Sequence, residues 1–223
     1  MKPLLSETQD IRTLQELGLA SVQIVHDLKN QLNGLKLYAT FLRKRMEKSE
    51  RPADEMETIS KLINGLERAA ADMTTLVRYG RPLELRLQPR VDLVKMLAEI
   101  TTTRDGLRLE AEALDLDGEF DAASLAEALK AITNAALNMP RDRGADGELS
   151  IHLHREEGGA RRAAVIEWRG LKLKAEQDAF NSFAGSDALR MRLAAKIIEA
   201  HGGEAGQRTG ALRIRLPLKG SDE

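Results

Sequence analysis

The chain has 223 residues, 42% of them hydrophobic, 31% charged and only 3% aromatic, a balance that supports a packed core and much solvated helix. With a formal net charge of −1, nothing in the balance asks for nucleic acid or an anionic membrane, and the lack of cysteine excludes disulfides, thiolate metal sites and thiol chemistry. No apolar run reaches the ~20 residues that cross a bilayer. Met1 to Asp10 holds one lysine and no apolar core of a signal peptide, so a cytoplasmic protein with no membrane segment is expected.

Ser6 and Gln9 have the spacing of a capping box, and the first helix is expected from about Glu7 to about Lys48. Leu14, Leu17, Ile24, Leu28, Leu35 and Leu42 form one apolar stripe along it. At 1.5 Å per residue this helix is roughly 60 Å long, too long to stand alone. Pro52 opens a second helix with Met56, Ile59, Ile63, Leu66, Ala70, Met73 and Val77 in 3-4 spacing, ended by Gly80-Arg81-Pro82. A short loop makes the two helices an antiparallel hairpin, and two helices bury too little. A second copy is expected to complete a dimeric four-helix bundle.

After Pro82 the pattern changes. Leu83, Leu85 and Leu87 alternate with charged residues as in a half-buried strand, and Asp92 caps a short helix through Ile100. Leu107 to Leu116 predicts one or two strands. Asp121 caps a helix through Leu137 with Leu125, Leu129, Ile132 and Ala136 on one face. Leu149–His154 and Ala163–Trp168 read as neighbouring strands joined by a Glu156-Glu157-Gly158-Gly159 turn. A helix from about Asp187 to His201 stops at Gly202-Gly203, and Leu212, Ile214 and Leu216 mark a last strand. This order predicts a two-layer α/β sandwich. The fold class is therefore α+β, with a helical hairpin over residues 1–81 and the sandwich over 82–223. His152 and His154 alternate on one strand face, and neither they nor His201 show metal-ligand spacing.

Within the first helix stands His26-Asp27-Leu28-Lys29-Asn30-Gln31-Leu32. His26 is two residues from both Ile24 and Leu28, which turns it to the flank of the apolar stripe. Asp27 adjoins it, and Asn30 follows one turn on. A polar trio on a rigid helix beside a pairing seam is a site, not core. The segment resembles the H-box of two-component histidine kinases, which reads His, acidic residue, Leu, basic residue, Thr or Asn, usually Pro, then Leu. Six of the seven places match, with Gln31 where proline is usual.

The resemblance implies that the neutral imidazole of His26 attacks a phosphoryl group through one ring nitrogen. It implies that Asp27 accepts a hydrogen bond from the other nitrogen, and that Asn30 orients a water for dephosphorylation of a receiver. Lys29 would steer an acidic receiver site, or solvate the helix. Leu37 and Phe41, four apart and off the main stripe, would anchor a receiver helix, or broaden the apolar face that a bundle needs.

The elements after Pro82 resemble the ATP-binding domain of the same family. There, two asparagines four apart face the triphosphate and metal. Here the second is Asn134 and the first is Lys130. Ile197 to Gly203 is similar to the helix after the ATP lid, and the family's Gly-Leu-Gly-Leu turn falls on Ala188-Leu189-Arg190-Met191. Both glycines that admit phosphates close to the backbone are gone. The family's Asp followed by two spaced glycines falls on Trp168 to Leu173, leaving Gly170 alone, with Trp168 where the adenine-binding Asp would stand. Phe180-Asn181-Ser182-Phe183 resembles the phenylalanine box, and the lid is absent. Losing the carboxylate leaves the adenine amino group unpaired at a cost of about 1–3 kcal/mol.

These readings lead to a homodimeric histidine phosphotransferase, a pseudo-kinase that moves a phosphoryl group between response-regulator receiver domains through His26. It would hold no tightly bound cofactor, would use the receivers' own Mg²⁺, and would keep Asn134 only as a vestige of an ATP site. Three alternatives remain open: an ATP-dependent kinase with an unorthodox pocket, a phosphatase-dominant pseudokinase, and a non-catalytic dimerisation scaffold.

Overall fold

The structure is a computed structural model that describes residues 25, 28–47, 53–102, 104, 106–112, 116–141, 148–156, 162–173, 178–182 and 185–218. The chain divides into two compact units, Met1–Pro82 and Leu83–Glu223.

In the first unit, α1 (residues 28–46) and α2 (Ala53–Gly80) are both helical. Asp54 and Glu55 occupy the first turn of α2 and Arg78 its last, each matching the helix dipole. The salt bridge from Lys36 Nζ to Glu67 Oε1, 2.7 Å, ties α1 to α2. Among the described residues of this unit, Ala39 and Ile63 are the buried apolar ones, whereas Leu28, Leu35 and Leu42 are 42%, 54% and 55% exposed. The stripe read from the leucines is thus largely open to solvent within one chain. The start of the expected first helix, residues 7–24, lies outside the described residues.

The second unit is α+β. A five-stranded mixed sheet has the order β2-β4-β5-β7-β6, and a two-stranded sheet pairs β1 with β3. The strands are β1 (Gln88–Asp92), β2 (Leu107–Ala111), β3 (Asp117–Phe120), β4 (Leu149–Glu156), β5 (Ala163–Arg169), β6 (Glu204–Arg208) and β7 (Ala211–Pro217). Only β2 with β4 is parallel; β4–β5, β5–β7 and β6–β7 are antiparallel. The helices are α3 (Leu93–Thr102), α4 (Ala122–Asn138) and α5 (Ser186–Ala200).

Ile151, Leu153, Ile166, Trp168, Leu212, Ile214 and Leu216 are fully buried on one face of the sheet. The buried stripe Leu125, Leu129, Ile132 and Ala136 of α4 and Met191, Ala194 and Ile198 of α5 complete that core. Cross-strand register places His152, Glu167 and Arg213 together on the opposite face.

Two expectations change. Leu83–Leu87 is not a strand: Leu83 and Leu85 are half-buried and their neighbours exposed, but no strand pairs there, and Arg86 gives its N–H to the Asp121 carboxylate instead. Pairing begins at Gln88. The second change is the addition of β3, which follows the expected Leu107–Leu116 region, and of β6, whose sequence EAGQR carries no apolar alternation because it is a sheet edge.

Candidate functional site

On α1, Asn30, Leu37 and Phe41 are separated by seven and four residues, so they fall within about 40° of one another around the helix. Asn30 is exposed, Leu37 is 54% exposed and Phe41 59%, with Tyr38 beside them at 68%. Lys29 is half-buried. The stripe is therefore a polar amide followed by a run of apolar and aromatic side chains in solvent. Tyr38, three residues before Phe41, was missed in the sequence although that spacing could have picked it out. His26 and Asp27 lie outside the described residues.

The second place of interest lies between α4, the end of β5 and α5. Lys130, Asn134 and Asn138 follow one another at four-residue spacing, all exposed. Asn138 Nδ2 donates to Asp187 Oδ2 at 3.1 Å, and Asp187 also faces Arg190 at 3.5 Å. Arg190 and Met191 are in the first turns of α5, with Met191 buried. Arg192 Nη1 donates to the Asn181 side chain and to the Phe180 carbonyl, and the Asn181 amide donates to Asp178. In this region side chains of the protein bond to one another and to backbone carbonyls.

Trp168 finds its hydrogen-bond partner within the protein. Its indole is fully buried, and Nε1–H donates to Thr133 Oγ1 at 3.0 Å. Thr133 in turn donates to the Leu129 carbonyl at 2.8 Å, so every polar atom of the pair is satisfied without a ligand. Gly170 has φ +91° and a Cβ there would meet the Glu148 carbonyl oxygen at 2.8 Å, which accounts for its glycine by backbone crowding alone. The following residues are stitched to the protein: Leu171 N–H donates to Gly210, and Lys172 N–H donates to Pro140 at 2.8 Å. Thr133 escaped sequence reading because nothing in a helix pattern names a cross-element partner.

Asp121 does more than cap α4. One carboxylate oxygen accepts the Ser124 N–H and the other the Arg86 N–H, while its own N–H donates to His201 Nε2 at 3.0 Å. His201 Nδ1 lies 2.8 Å from the Ile197 carbonyl, an acceptor, so Nδ1 carries the proton and the imidazole is the neutral tautomer. The N–H donors of Ser124 and then Arg86 hold the Asp121 carboxyl below the usual carboxylate range. Among the described residues no group of three or more His, Asp or Glu side chains could hold a metal ion, and no helix is long and apolar enough to cross a membrane.

No protein-family profile matches the sequence, and no curated protein matches it. Solved structures do. Full-length ShkA, in complex with AMPPNP, matches with a TM-score of 0.65 at 16% identity over 87% of this chain and 44% of its own. The histidine kinase ThkA, in complex with the response regulator TrrA, matches over 100% of this chain and 70% of its own, with a TM-score of 0.60 and 16% identity. The fold is histidine-kinase-like. A third such structure, the Acinetobacter baumannii histidine kinase AdeS, gives a TM-score of 0.55 at 15% identity over 88% of this chain and 98% of its own. This chain spans under half the length of ShkA. At these identities the histidine-kinase-like character is one of fold.

Proposed function

We propose that this chain is a dimeric histidine phosphotransferase on a histidine-kinase-like fold, with residues 1–81 as the dimerisation and phosphotransfer hairpin and 82–223 as a degenerate ATP-binding domain. The observation that carries the reading is the buried indole of Trp168, satisfied by Thr133 at the place where the family's adenine-binding Asp would stand. A carboxylate there would accept from adenine; an indole N–H offers another donor and fills the space. The H-box resemblance at His26 keeps six of its seven places, whereas the pocket resemblance is altered.

In this mechanism a receiver's aspartyl phosphate meets the neutral His26 imidazole. The P–O bond to the aspartate breaks as a P–N bond forms, and the phosphoramidate then gives the group to the Asp of a second receiver. Asp27 holds the tautomer in which the attacking nitrogen is free. Asn30 places water when the outcome is hydrolysis. Lys29 draws in the acidic receiver, and Leu37 and Phe41 seat one of its helices. The receivers would bring the Mg²⁺ that offsets phosphoryl charge. ThkA, which shares the fold, is bound to a response regulator in its structure, and this supports the choice of partner.

The test offers labelled Mg-ATP and a labelled phospho-receiver in parallel. Acid-labile label on this chain from the receiver, and none from ATP, is the expected result, and His26→Ala abolishes it. Stoichiometric label from ATP alone overturns the proposal.

A second reading, an ATP-dependent kinase with an unorthodox pocket, draws on the AMPPNP in ShkA and the exposed Asn134. It requires a raised melting temperature at millimolar Mg-ATP, following RT ln(1 + [L]/Kd). A phosphatase-dominant pseudokinase would show receiver dephosphorylation lost in Asn30→Ala, and a scaffold would take no label at all.

A further inference from the structure

The outer face of the sheet holds an arrangement that phosphotransfer does not use. Glu110 on edge strand β2 and Glu112, one residue past its end, both face one ring on β4, that of His152. His152 Nε2 lies 2.5 Å from Glu110 Oε2, while Nδ1 lies 3.7 Å from Glu112 Oε1, beyond hydrogen-bond reach. Nδ1 is out of solvent and has no hydrogen-bond partner. One nitrogen is bonded, the other aimed at a carboxylate it does not reach.

Both remaining neighbours of the ring are already compensated. Glu167, opposite His152 on β5, is held by Arg169 at 2.6 Å and faces Arg213 at 3.6 Å. Glu156, further along β4, is held by Arg213 and Arg215, whose guanidinium beside it lowers its carboxyl from the usual range. Arg108 faces Glu148, and Ser150 and His154 flank His152 on its own strand. His154 Nδ1 is also buried without a partner. Among the described residues, Glu110 and Glu112 have no cation within 4 Å other than this ring.

We propose that Glu110, His152 and Glu112 form a proton-dependent clasp that tightens edge strand β2 onto the sheet as pH falls toward mild acidity. A neutral imidazole has one N–H and can serve one carboxylate, leaving a lone pair turned to the other. The imidazolium has two and serves both. Histidine is the side chain that makes this change between about pH 5 and 8. Strand β2 joins the sheet through β4 alone, and α3 packs against it, so the clasp acts at an edge of the sheet.

Backbone hydrogen exchange of residues 107–112, followed by mass spectrometry on the full chain at pH 8.0 and pH 6.0 and corrected for intrinsic exchange, tests this. Protection should rise roughly threefold to fivefold at pH 6.0, the range of a partly solvated ion pair. His152→Gln should flatten the dependence. Glu112→Gln, at an exposed position that leaves folding intact, should reduce it. Protection that is equal at the two pH values in the unmodified chain overturns the clasp, as does a rise that both variants retain.

Discussion

Asp121 is a residue whose charge state can be followed directly. Its carboxylate takes two backbone N–H donors, and its folded-state pKa is depressed. A depressed carboxyl contributes stability that is fully present above the unfolded value, about 3.9, and is lost as pH falls through the folded value. Asp121→Asn keeps one accepting oxygen for Ser124 but turns an NH₂ toward the Arg86 N–H, donor against donor. It should cost about 1–2 kcal/mol at pH 7, with the gap constant down to about pH 5 and closing below pH 4. Urea denaturation at pH 7 and pH 3 reads this. An equal gap at both would mean that the cap acts through shape, not charge. Asp121 was legible in the sequence as a helix cap, since Asp before an amphipathic run is a local signal. Its bonds to Arg86 and His201 were not, because they join positions 35 and 80 residues away that only the fold brings together.

Among the elements, those that bury a regular face were readable and those at the margins were not. Helix α4 has both a cap and a continuous buried stripe, and β4 and β7 alternate cleanly between core and outer face. Strand β6 has neither, and the leucines at 83–87 carry an alternation that finds no neighbouring strand. The end of α5 shows how a short motif can be decisive: Gly202 N–H donates to Glu199 and Gly203 N–H to Ile198, both at 2.9 Å, closing a Schellman turn. A Cβ on Gly203 would meet the Arg215 carbonyl at 2.5 Å and Ile198 Cγ2 at 2.9 Å. Gly203→Ala must therefore shift β7 or α5, and a loss of about 2–3 kcal/mol is expected in the denaturation midpoint. Glycine at 206, where a Cβ meets nothing within 4 Å, is the control, and Gly206→Ala should be nearly silent. On α1 the exposed stripe makes a different kind of prediction. If Phe41 seats a receiver, Phe41→Ala should slow label transfer about tenfold with the melting temperature moved by under about 3 °C. A large fall in melting temperature with an unchanged transfer rate would instead assign Phe41 to packing of the bundle.

At the scale of the whole molecule the open question is what covers the leucines of α1. Leu28, Leu35 and Leu42 keep 42–55% of their surface exposed in a single chain, seven residues apart, while Ala39 is buried. Leu62 and Leu76 of α2 are likewise 53% and 39% exposed. The proposed dimer would bury this heptad ladder of leucines against its own copy. The prediction is a particle of twice 24.7 kDa by light scattering on a sizing column. Leu35→Glu with Leu42→Glu places four carboxylates in the shared seam of two chains, and like charges there should shift the equilibrium to monomer. The second unit supplies the internal control, because its core residues are all elsewhere: its unfolding midpoint should stay where it was. The consequence for chemistry is separable too. A monomer that still accepts label at His26 would place the whole receiver surface on one hairpin, whereas loss of label with loss of the dimer would require residues of both copies around each imidazole.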